Sequence, residues 1–432
     1  MTYTHQTALV WFRRDLRLAD NPALTHALSE ARNVIPVFIH APEEEAPWAP
    51  GAASLWWLHH SLESLSKDIT QLGSRLILRQ GNSLTCLQQL IKETGATLVC
   101  WNRVYEPACI ARDTEIKRLL KDQDIECSSH NAALLFEPWE VRTQQDKPFR
   151  VFTPFWRHCQ TRMTEQPLPL AIPDSLPNVN QSVASTDLAS LKLLPDIKWD
   201  QGMRAHWQIG EAAAHARLQR FIDEAARHYG EERNRPDKTG TSCMGPYLHF
   251  GEISPRQIVT ALQEQHTPAE SYVRELGWRE FSYHLLYHFP HTTNAPLDVR
   301  FEKFPWDNNR AALKAWQRGQ TGIPLVDAGM RELWHTGWMH NRVRMVVASF
   351  LTKNLRIHWL EGARWFWDTL VDADLANNTQ GWQWTAGCGA DAAPFFRIFN
   401  PTLQAERFDP DFNYIRRWVP EIARLPNKWI TK

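Results

Sequence analysis

The first 130 residues alternate short, nearly continuous apolar runs with longer stretches whose apolar residues recur at helical spacing. Each apolar run has the length and composition of a buried strand. The runs are TALVWF (7–12), VIPVFI (34–39), RLILR (75–79) and ATLVCW (96–101). The helical stretches between and after them are 21–32, 52–72, 83–94 and 108–122. A β-α-β series of this kind predicts a mostly parallel, doubly wound sheet.

Two Asn residues mark where helices should begin. Asn21 precedes Pro22 and Asn82 precedes Ser83. An Asn side chain can accept a hydrogen bond from the first helical turn, and Pro fits the first helical position. Nothing like GxGxxG follows the first apolar run, because the first Gly of the chain is Gly51. The sheet is therefore predicted to be Rossmann-like in topology, without a dinucleotide pyrophosphate in its first turn.

Beyond the α/β pattern, the chain changes character. A stretch rich in Pro, Ser and Asp at 164–203 predicts a linker, within a connecting segment that spans 131–204. From 205 to 432 the apolar residues recur at helical spacing, which predicts an all-α domain. The predicted organisation is an α/β domain (1–130), an interdomain linker (131–204) and a helical domain (205–432).

Composition narrows the class of protein. The 432 residues carry no formal net charge, 43% are hydrophobic and 22% are charged, so the chain can bury large cores. A nucleic-acid partner would need a local basic patch. No uncharged apolar run is long enough to span a bilayer, and the N-terminus lacks the apolar core of a signal peptide. With seven scattered Cys and no CxxC pair, this predicts a soluble, cytoplasmic protein with reduced thiols.

A Gly/Thr/Ser-rich segment at 240–258 runs toward a predicted helix that begins at Ser254-Pro255. Small residues and hydroxyls allow backbone N–H groups to approach phosphates, so the segment is a candidate phosphate-binding loop. A plain interhelical loop explains the same spacing.

Asp372 and Asp374 occur in a segment surrounded by Trp residues. Carboxylates among so many apolar rings need partners, and Arg344 and Arg279 are the candidates. A helix-capping Asp combined with a structural salt bridge is an equally simple explanation.

The chain has 21 Trp. Core packing explains such a surplus, and so does a role in stacking on flat rings or in passing electrons. In the segment 395–411, Arg residues alternate with aromatic ones, as in a nucleic-acid groove or a solvated turn. No metal site is predicted, and in the helical domain His335 and His340 have no acidic or Cys ligands at usable spacing.

Asn341 and Met345 share one face of a predicted helix in TGWMHNRVRM (336–345). That stretch belongs to TGIPLVDAGMRELWHTGWMHNRVRMVVASFLTKNLRIHW. Together with LVWFRRDLRLADNPAL, ELGWREF and GWQWTAGCGADAAPFFRIFNP, it closely resembles the DNA photolyase/cryptochrome family over nearly the whole chain. The most similar branch is the bacterial cyclobutane pyrimidine dimer photolyases of class I and the related class III.

The resemblance implies an enzyme, a deoxyribodipyrimidine photo-lyase with an N-terminal antenna domain and a helical FAD-binding domain. Blue light then drives electron transfer from reduced FAD to a dimer flipped out of UV-damaged DNA, with no net redox change. A monomer is expected. The residues implied to bind FAD are Tyr229, Thr241, Ser242, Cys243, Met244, Gly245, Arg279, Arg344, Asp372, Asp374 and Asn378.

The same resemblance implies roles around the dimer. Glu275 hydrogen-bonds the base edge, Trp278 and Trp384 form apolar walls, and Asn341 and Met345 stand where (6-4) photolyases place two His. The residues implied to contact DNA are Arg233, Glu275, Arg342, Arg397 and Gln404. The residues implied to form an electron relay are Trp306, Trp359 and Trp382.

The chain departs from the family pattern in two places. In the phosphate loop, usually Thr-Ser-Arg-Leu-Ser, the last three residues are Cys243-Met244-Gly245, which removes one hydroxyl contact worth about 1 kcal/mol. Ala108 and Cys109 replace the Asn and Glu with which class I enzymes hold a folate, whereas APEEEAPWAPGAAS resembles class III. The antenna chromophore is thus left open, with a folate such as methenyltetrahydrofolate as the candidate.

Two other functions stay open within the family. A cryptochrome-like blue-light sensor would keep the flavin and the relay but repair little, and the dimer-pocket residues of this chain favour the enzyme. A (6-4) photolyase needs two His as acid and hydrogen-bond donor, where this chain has Asn341 and Met345.

Overall fold

The computed structural model describes residues 3–392 and 397–430. Phe395 and Phe396 of the predicted Arg-aromatic segment lie outside these ranges. The N-terminal half is built on one five-stranded sheet in the order β3-β2-β1-β4-β5, in which every pair of neighbours is parallel. The strands are β1 (His5–Phe12), β2 (Ala31–His40), β3 (Ile77–Gln80), β4 (Leu98–Asn102) and β5 (Glu126–His130). The predicted doubly wound sheet is confirmed.

Helices α1 (Pro22–Glu30), α2 (Ala52–Gln71), α3 (Ser83–Thr94) and α4 (Pro107–Lys121) connect the strands. Both predicted helix starts are confirmed. Asn21 accepts a hydrogen bond from the Leu24 N–H at 3.1 Å, and Asn82 accepts one from the Thr85 N–H at 3.0 Å. The sequence did not predict β5, because its polar residues ECSSH form an edge strand without an apolar run.

The segment 131–204, predicted as a linker, contains α5 (Phe152–Thr161) and α6 (Gln201–His206). Phe152 of α5 is buried and stacks on Trp278 with ring centroids 3.6 Å apart. Trp156 lies so close to Gly277 that a Cβ there would be 2.4 Å from the indole. This part of the segment therefore packs into the core of the helical half.

Beyond residue 204, the described chain is helical apart from one isolated bridge between Asp307 and Ile357. The helices are α7 (Glu211–Glu224), α8 (Tyr229–Glu232), α9 (Gly245–His249), α10 (Pro255–Glu264), α11 (Glu270–His288), α12 (Arg310–Gln317), α13 (Pro324–Thr336), α14 (Asn341–Ser349), α15 (Trp359–Thr369), α16 (Leu375–Ala386), α17 (Pro401–Phe408), α18 (Asn413–Trp418) and α19 (Asn427–Ile430). A π-helical turn (Phe350–Asn354) extends α14. Short 3-10 turns occupy Pro42–Glu45, Met163–Glu165, Leu188–Leu191, Ala226–His228, Pro290–Thr293, Val299–Lys303 and Pro420–Ile422.

The start of α2 packs against α15 and joins the two halves of the molecule. The Trp367 indole donates to the Ala49 carbonyl at 2.7 Å, and the Ala52 N–H donates to Asp368 at 2.9 Å. Trp48 and Trp367 meet edge to face, with ring centroids 5.5 Å apart. Among the described residues, no helix combines the length and apolarity that a bilayer crossing requires.

Candidate active site

A cavity of about 450 Å³ opens between α11, α14, α15 and α16. A second cavity of about 240 Å³ shares several of its walls and extends toward α9. Together they fall within the size range of cofactor sites, roughly 300–1,000 Å³. The predicted site residues that line the larger cavity are Arg233, Glu275, Trp278, Arg279, Asn341, Arg344, Met345, Asp372, Asn378, Trp382 and Trp384.

Asp372 lies where both cavities meet. Arg344 donates from Nη2 to both of its carboxylate oxygens, at 2.8 and 3.0 Å, and from Nε to the Met339 carbonyl at 2.7 Å. A Cβ at Gly245 would lie only 2.6 Å from Asp372 Oδ2. A side chain at Gly245 would therefore displace the carboxylate from the position in which Arg344 holds it.

Asp374 caps α16 and lines the smaller cavity. Its Oδ1 accepts from the Asn377 backbone and side-chain N–H groups at 2.8 and 2.7 Å, and its Oδ2 accepts from the Tyr283 hydroxyl. Burial alone would raise the pKa of Asp374. The adjacent His249, the charge of Arg279 and the Tyr283 hydroxyl outweigh burial and hold this pKa well below its usual range. Asp374 is therefore ionised at neutral pH, and it also caps α16.

Arg279, the other predicted partner of the carboxylates, makes its shortest contacts elsewhere. It donates to the Ala133 carbonyl at 2.8 Å, approaches Glu280 Oε1 at 3.6 Å, and lies over the Tyr283 ring at 4.8 Å. It acts on Asp374 through its charge. Asn378 donates to the Ala363 carbonyl at 3.0 Å, which fixes its amide between α15 and α16.

Only some of the residues predicted to bind the phosphates line the smaller cavity. Tyr229, Ser242, Met244 and Gly245 line the smaller cavity, whereas Thr241 and Cys243 are not among its walls. Ser242 accepts a hydrogen bond from the Met244 N–H at 3.3 Å, and Cys243 has a left-handed backbone with φ +54°.

The mouth of the larger cavity is basic. Arg233 forms an ion pair with Glu275 at 2.5 Å. Arg342 donates to Asn234 at 2.6 Å and stacks over the Phe408 ring at 4.5 Å. Burial, followed by the charges of Arg233, Arg397 and Arg407, lowers the pKa of Arg342. Each of these three guanidinium groups is thus close enough to disfavour the charge of Arg342.

Two other predicted DNA contacts are near this mouth but do not line the cavity. Arg397 is exposed and lies over the Phe399 ring at 5.4 Å. Gln404 is half-buried on α17, and its Oε1 has no hydrogen-bond partner among the described residues.

The walls of the larger cavity are mostly apolar. Trp278 is fixed by its stack on Phe152, and Trp384 donates from its indole to the Asp391 carbonyl at 3.1 Å. Asn341 and Met345 line the same cavity one turn apart on α14, so the predicted shared face is confirmed. His340 points elsewhere: its Nδ1 caps α14 through the Arg342 N–H at 3.1 Å.

The three predicted relay residues lie between the cavity and the surface. Trp382 lines the cavity, and a Cβ at Gly362 of α15 would lie 2.1 Å from its ring. Trp359 is buried and stacks on His358 at 5.7 Å, and half-buried Trp306 meets the same imidazole at 5.0 Å. His358 thus lies between the two outer indoles, a contact that the sequence did not predict.

The structure adds three residues to the site that sequence reasoning missed. Asn377 follows Asp374 by three positions, which is the spacing of a helix-capping partner and could have indicated it. Tyr283 lies one turn beyond Arg279 on α11, so helical spacing could have indicated it as well. His249 carried no such signal. Its Nδ1 is buried without a hydrogen-bond partner in the described chain and lies 3.8 Å from Asp374.

A separate cavity of about 70 Å³ lies at the carboxyl ends of the strands, where β1 separates β2 from β4. Arg13 follows β1, His40 ends β2, and Cys109 reaches the cavity from the first turn of α4, next to Ala108. This cavity is smaller than a folate requires. The folate antenna therefore stays a prediction.

Two sequence models of protein families match the chain. The model described as DNA photolyase matches residues 8–174, and the model described as the FAD binding domain of DNA photolyase matches residues 272–432. The chain belongs to the DNA photolyase/cryptochrome family.

Individual relatives agree with this membership. A deoxyribodipyrimidine photo-lyase of Agrobacterium fabrum is 46% identical over 430 residues, which cover 98% of this chain and 89% of the relative. Cryptochrome-2 of Arabidopsis thaliana is 40% identical over 440 residues, which cover 98% of this chain and 72% of the relative. The crystal structure of a bacterial class III photolyase from Agrobacterium tumefaciens superposes with a TM-score of 0.95 at 45% identity, covering 100% of this chain and 90% of that one.

Proposed function

We propose that this protein is a light-dependent DNA repair enzyme that splits cyclobutane pyrimidine dimers. The observation that carries this function is the larger cavity, which Glu275, Trp278, Trp384 and the basic Arg233 line together. A cavity with flat apolar walls and one carboxylate suits two joined bases that have left the DNA stack. The photo-lyase activity named for the Agrobacterium fabrum relative supports the same reaction.

The residues present fit FAD. The two adjoining cavities offer hydrogen-bond acceptors at Asp372 and Asp374 and a cation at Arg344. His249 Nδ1 is a buried polar atom in need of a partner at the same wall. We propose that Ser242 and the backbone of its loop hold the diphosphate, and that Asp372, Asp374 and Asn378 hold the rest of the cofactor. When bound and reduced, FAD supplies the electron that splits the dimer under blue light, and this electron afterwards returns to FAD.

The chain's own groups would position the dimer. Glu275 accepts hydrogen bonds from base N–H groups, which keeps the dimer near the cavity floor at Asn378. Met345 fills the adjacent space with an apolar, adaptable side chain. Because Asn341 and Met345 provide no acidic proton here, the (6-4) reaction lacks its proton donor.

The basic mouth would hold the DNA backbone. The charges of Arg397 and Arg407 disfavour that of Arg342, so phosphates bound beside Arg342 would relieve this repulsion. Gln404, whose Oε1 lacks a partner in the described chain, adds a polar contact. Trp382, Trp359 and Trp306 would carry electrons inward from the surface when the oxidised cofactor must be reduced by light.

The test is the loss of thymine dimers from DNA, measured by HPLC after illumination of the reduced protein, with a dark sample as control. We expect dimer loss in the light only. Complete reduction of the flavin without dimer loss would refute the repair function and favour a cryptochrome-like sensor. Loss of (6-4) photoproducts with intact dimers would identify the alternative enzyme.

We also propose that the protein acts as a cytoplasmic monomer. Light scattering of the purified protein, with and without a dimer-containing oligonucleotide, tests the oligomeric state. One copy in both samples is the expected result.

A further inference from the structure

Outside the cavities of the proposed active site, we propose that one turn of α2 binds a divalent transition-metal ion of the Zn²⁺ type. The ligands are His59, His60 and Glu63. One ligand atom from each of these residues lies within 4.8 Å of the other two, and His60 Nδ1 is 3.5 Å from Glu63 Oε2. The sequence predicted no metal site in the chain, so this turn of α2 departs from that prediction.

The spacing of the three residues suits a single ion. Glu63 follows His59 by four positions and His60 by three, so its carboxylate lies over the turn that carries both imidazoles. The i, i+3 spacing of His60 and Glu63 is also that of the Glu-x-x-His metal ligands of di-metal bundles, in the reverse chain order. The Glu63 side chain is 69% exposed, so it can move toward an ion and shorten the ligand separations.

One ring nitrogen of this pair is buried, unpaired and available to an ion. His59 Nδ1 has no hydrogen-bond partner within the described chain, whereas His60 faces Glu63 through its Nδ1 at 3.5 Å. A buried polar atom without a partner is uncommon, and a bound ion is one of the few ways to satisfy it. Mg²⁺ and Ca²⁺ prefer oxygen ligands, which two imidazoles do not provide. An N,N,O ligand set suits Zn²⁺.

The surroundings leave the ion accessible. His60 and Glu63 line an open cavity of about 560 Å³ together with Trp56 and Lys67. Water from this cavity can complete the coordination shell. The nearby Arg204 would oppose a cation, but its charge is taken up by Asp200 at 2.5 Å. The positive charge of Lys67 lowers the affinity for the metal ion, but it leaves the three ligands in place.

The experiment is calorimetric titration of the FAD-loaded, metal-stripped full chain with ZnCl₂. We expect one equivalent of Zn²⁺ to bind at this turn and no corresponding heat from MgCl₂. His59→Gln and Glu63→Gln should each weaken that equivalent about tenfold or more, since even outer-shell substitutions cost roughly 10–100-fold in metal affinity. Flavin absorbance should stay unchanged, which separates this site from the proposed repair function.

The matched controls are His266→Gln and Glu264→Gln, which remove an exposed His and an exposed Glu outside the cluster. These variants should titrate like the parent protein. The metal site would be refuted by the absence of a stoichiometric Zn²⁺ equivalent, or by an equivalent that persists unchanged in His59→Gln. An equal loss of affinity in the controls would also overturn it.

Discussion

The floor and the mouth of the proposed active site differ in how their charged groups are compensated. On the floor, Asp372 has a two-oxygen contact with Arg344, and Asp374 is bonded by Tyr283 and Asn377. At the mouth, burial and then the charges of Arg233, Arg397 and Arg407 lower the pKa of Arg342. The carboxylates of the floor thus have partners within the protein, whereas we propose that an anion compensates the charges at the mouth.

The two regions therefore suit two different kinds of ligand. A preorganised floor keeps its groups in place before a cofactor arrives, because each charge is already oriented by a partner. A mouth of like charges gains most from a polyanion, whose affinity depends on salt. Arg233 belongs to both regions, because it lies at the mouth and is paired with Glu275 of the cavity. The following predictions test this division.

The largest effect is expected from Arg344→Leu. Removing this partner leaves the Asp372 carboxylate uncompensated, which should lower the free energy of unfolding by about 3 kcal/mol, the low end for a buried pair because Arg344 is 24% exposed. FAD content should fall in parallel. Urea unfolding and flavin absorbance measure the two effects. The control Arg310→Leu breaks a pair whose Arg is 67% exposed and should cost less than about 1 kcal/mol. Equal losses of unfolding free energy in the two variants would show that the Arg344–Asp372 pair stabilises the protein no more than an exposed pair does.

A smaller effect is expected from Glu332→Gln, beneath the helix that links floor and mouth. Glu332 accepts from the Tyr414 hydroxyl at 2.6 Å and from the His340 N–H at 3.3 Å, immediately before α14. Burial raises the pKa of Glu332 to about 7. A raised pKa means that its contribution to stability is complete below the unfolded-state pKa and is lost as pH rises through about 7.

The unfolding free energy of the parent should therefore fall relative to that of Glu332→Gln between pH 5 and pH 7, by on the order of 2 kcal/mol. Urea unfolding at several pH values measures the difference. Parallel pH profiles of the two proteins would show that Glu332 does not titrate in this range.

Glu275→Ala should change repair in the cavity without weakening DNA binding at the mouth. Loss of a charged hydrogen-bond acceptor should lower the repair yield per absorbed photon about tenfold. Affinity for dimer-containing DNA should stay the same or increase, because Arg233 is released from its ion pair. Repair yield by HPLC and affinity by fluorescence anisotropy measure the two quantities, with exposed Glu264→Ala as the control. An affinity loss as large as the loss of yield would contradict the role given to Glu275.

The smallest effect is expected from Arg342→Gln. Removing one phosphate contact should weaken DNA binding less than about tenfold and reduce the slope of log affinity against log salt by about 0.9. FAD content should not change, because Arg342 does not line the cavities. Arg310→Gln is the matched control. An unchanged salt slope would place the DNA elsewhere.

The sequence was most informative where the pattern is local. Apolar runs and helix caps such as Asn21 predicted four strands and their helices, because periodicity and capping depend on neighbouring residues. The edge strand β5 was missed, since few of its side chains need burial. The motifs also indicated the residues that line the cavity, and the spacing of Asn341 and Met345 indicated their common face. The FAD, DNA and relay roles of these residues stay predictions.

By itself, then, the sequence determined the two halves of the molecule, the helical faces and the family to which the chain belongs. Only the tertiary structure decided which charges meet. Tyr283 reaches Asp374 across 91 residues of sequence, and Arg233 reaches Glu275 across 42. Such pairs depend on how helices pack, and helix periodicity places a residue on a face without specifying what faces it. That packing completes the floor and leaves the mouth open to an anion.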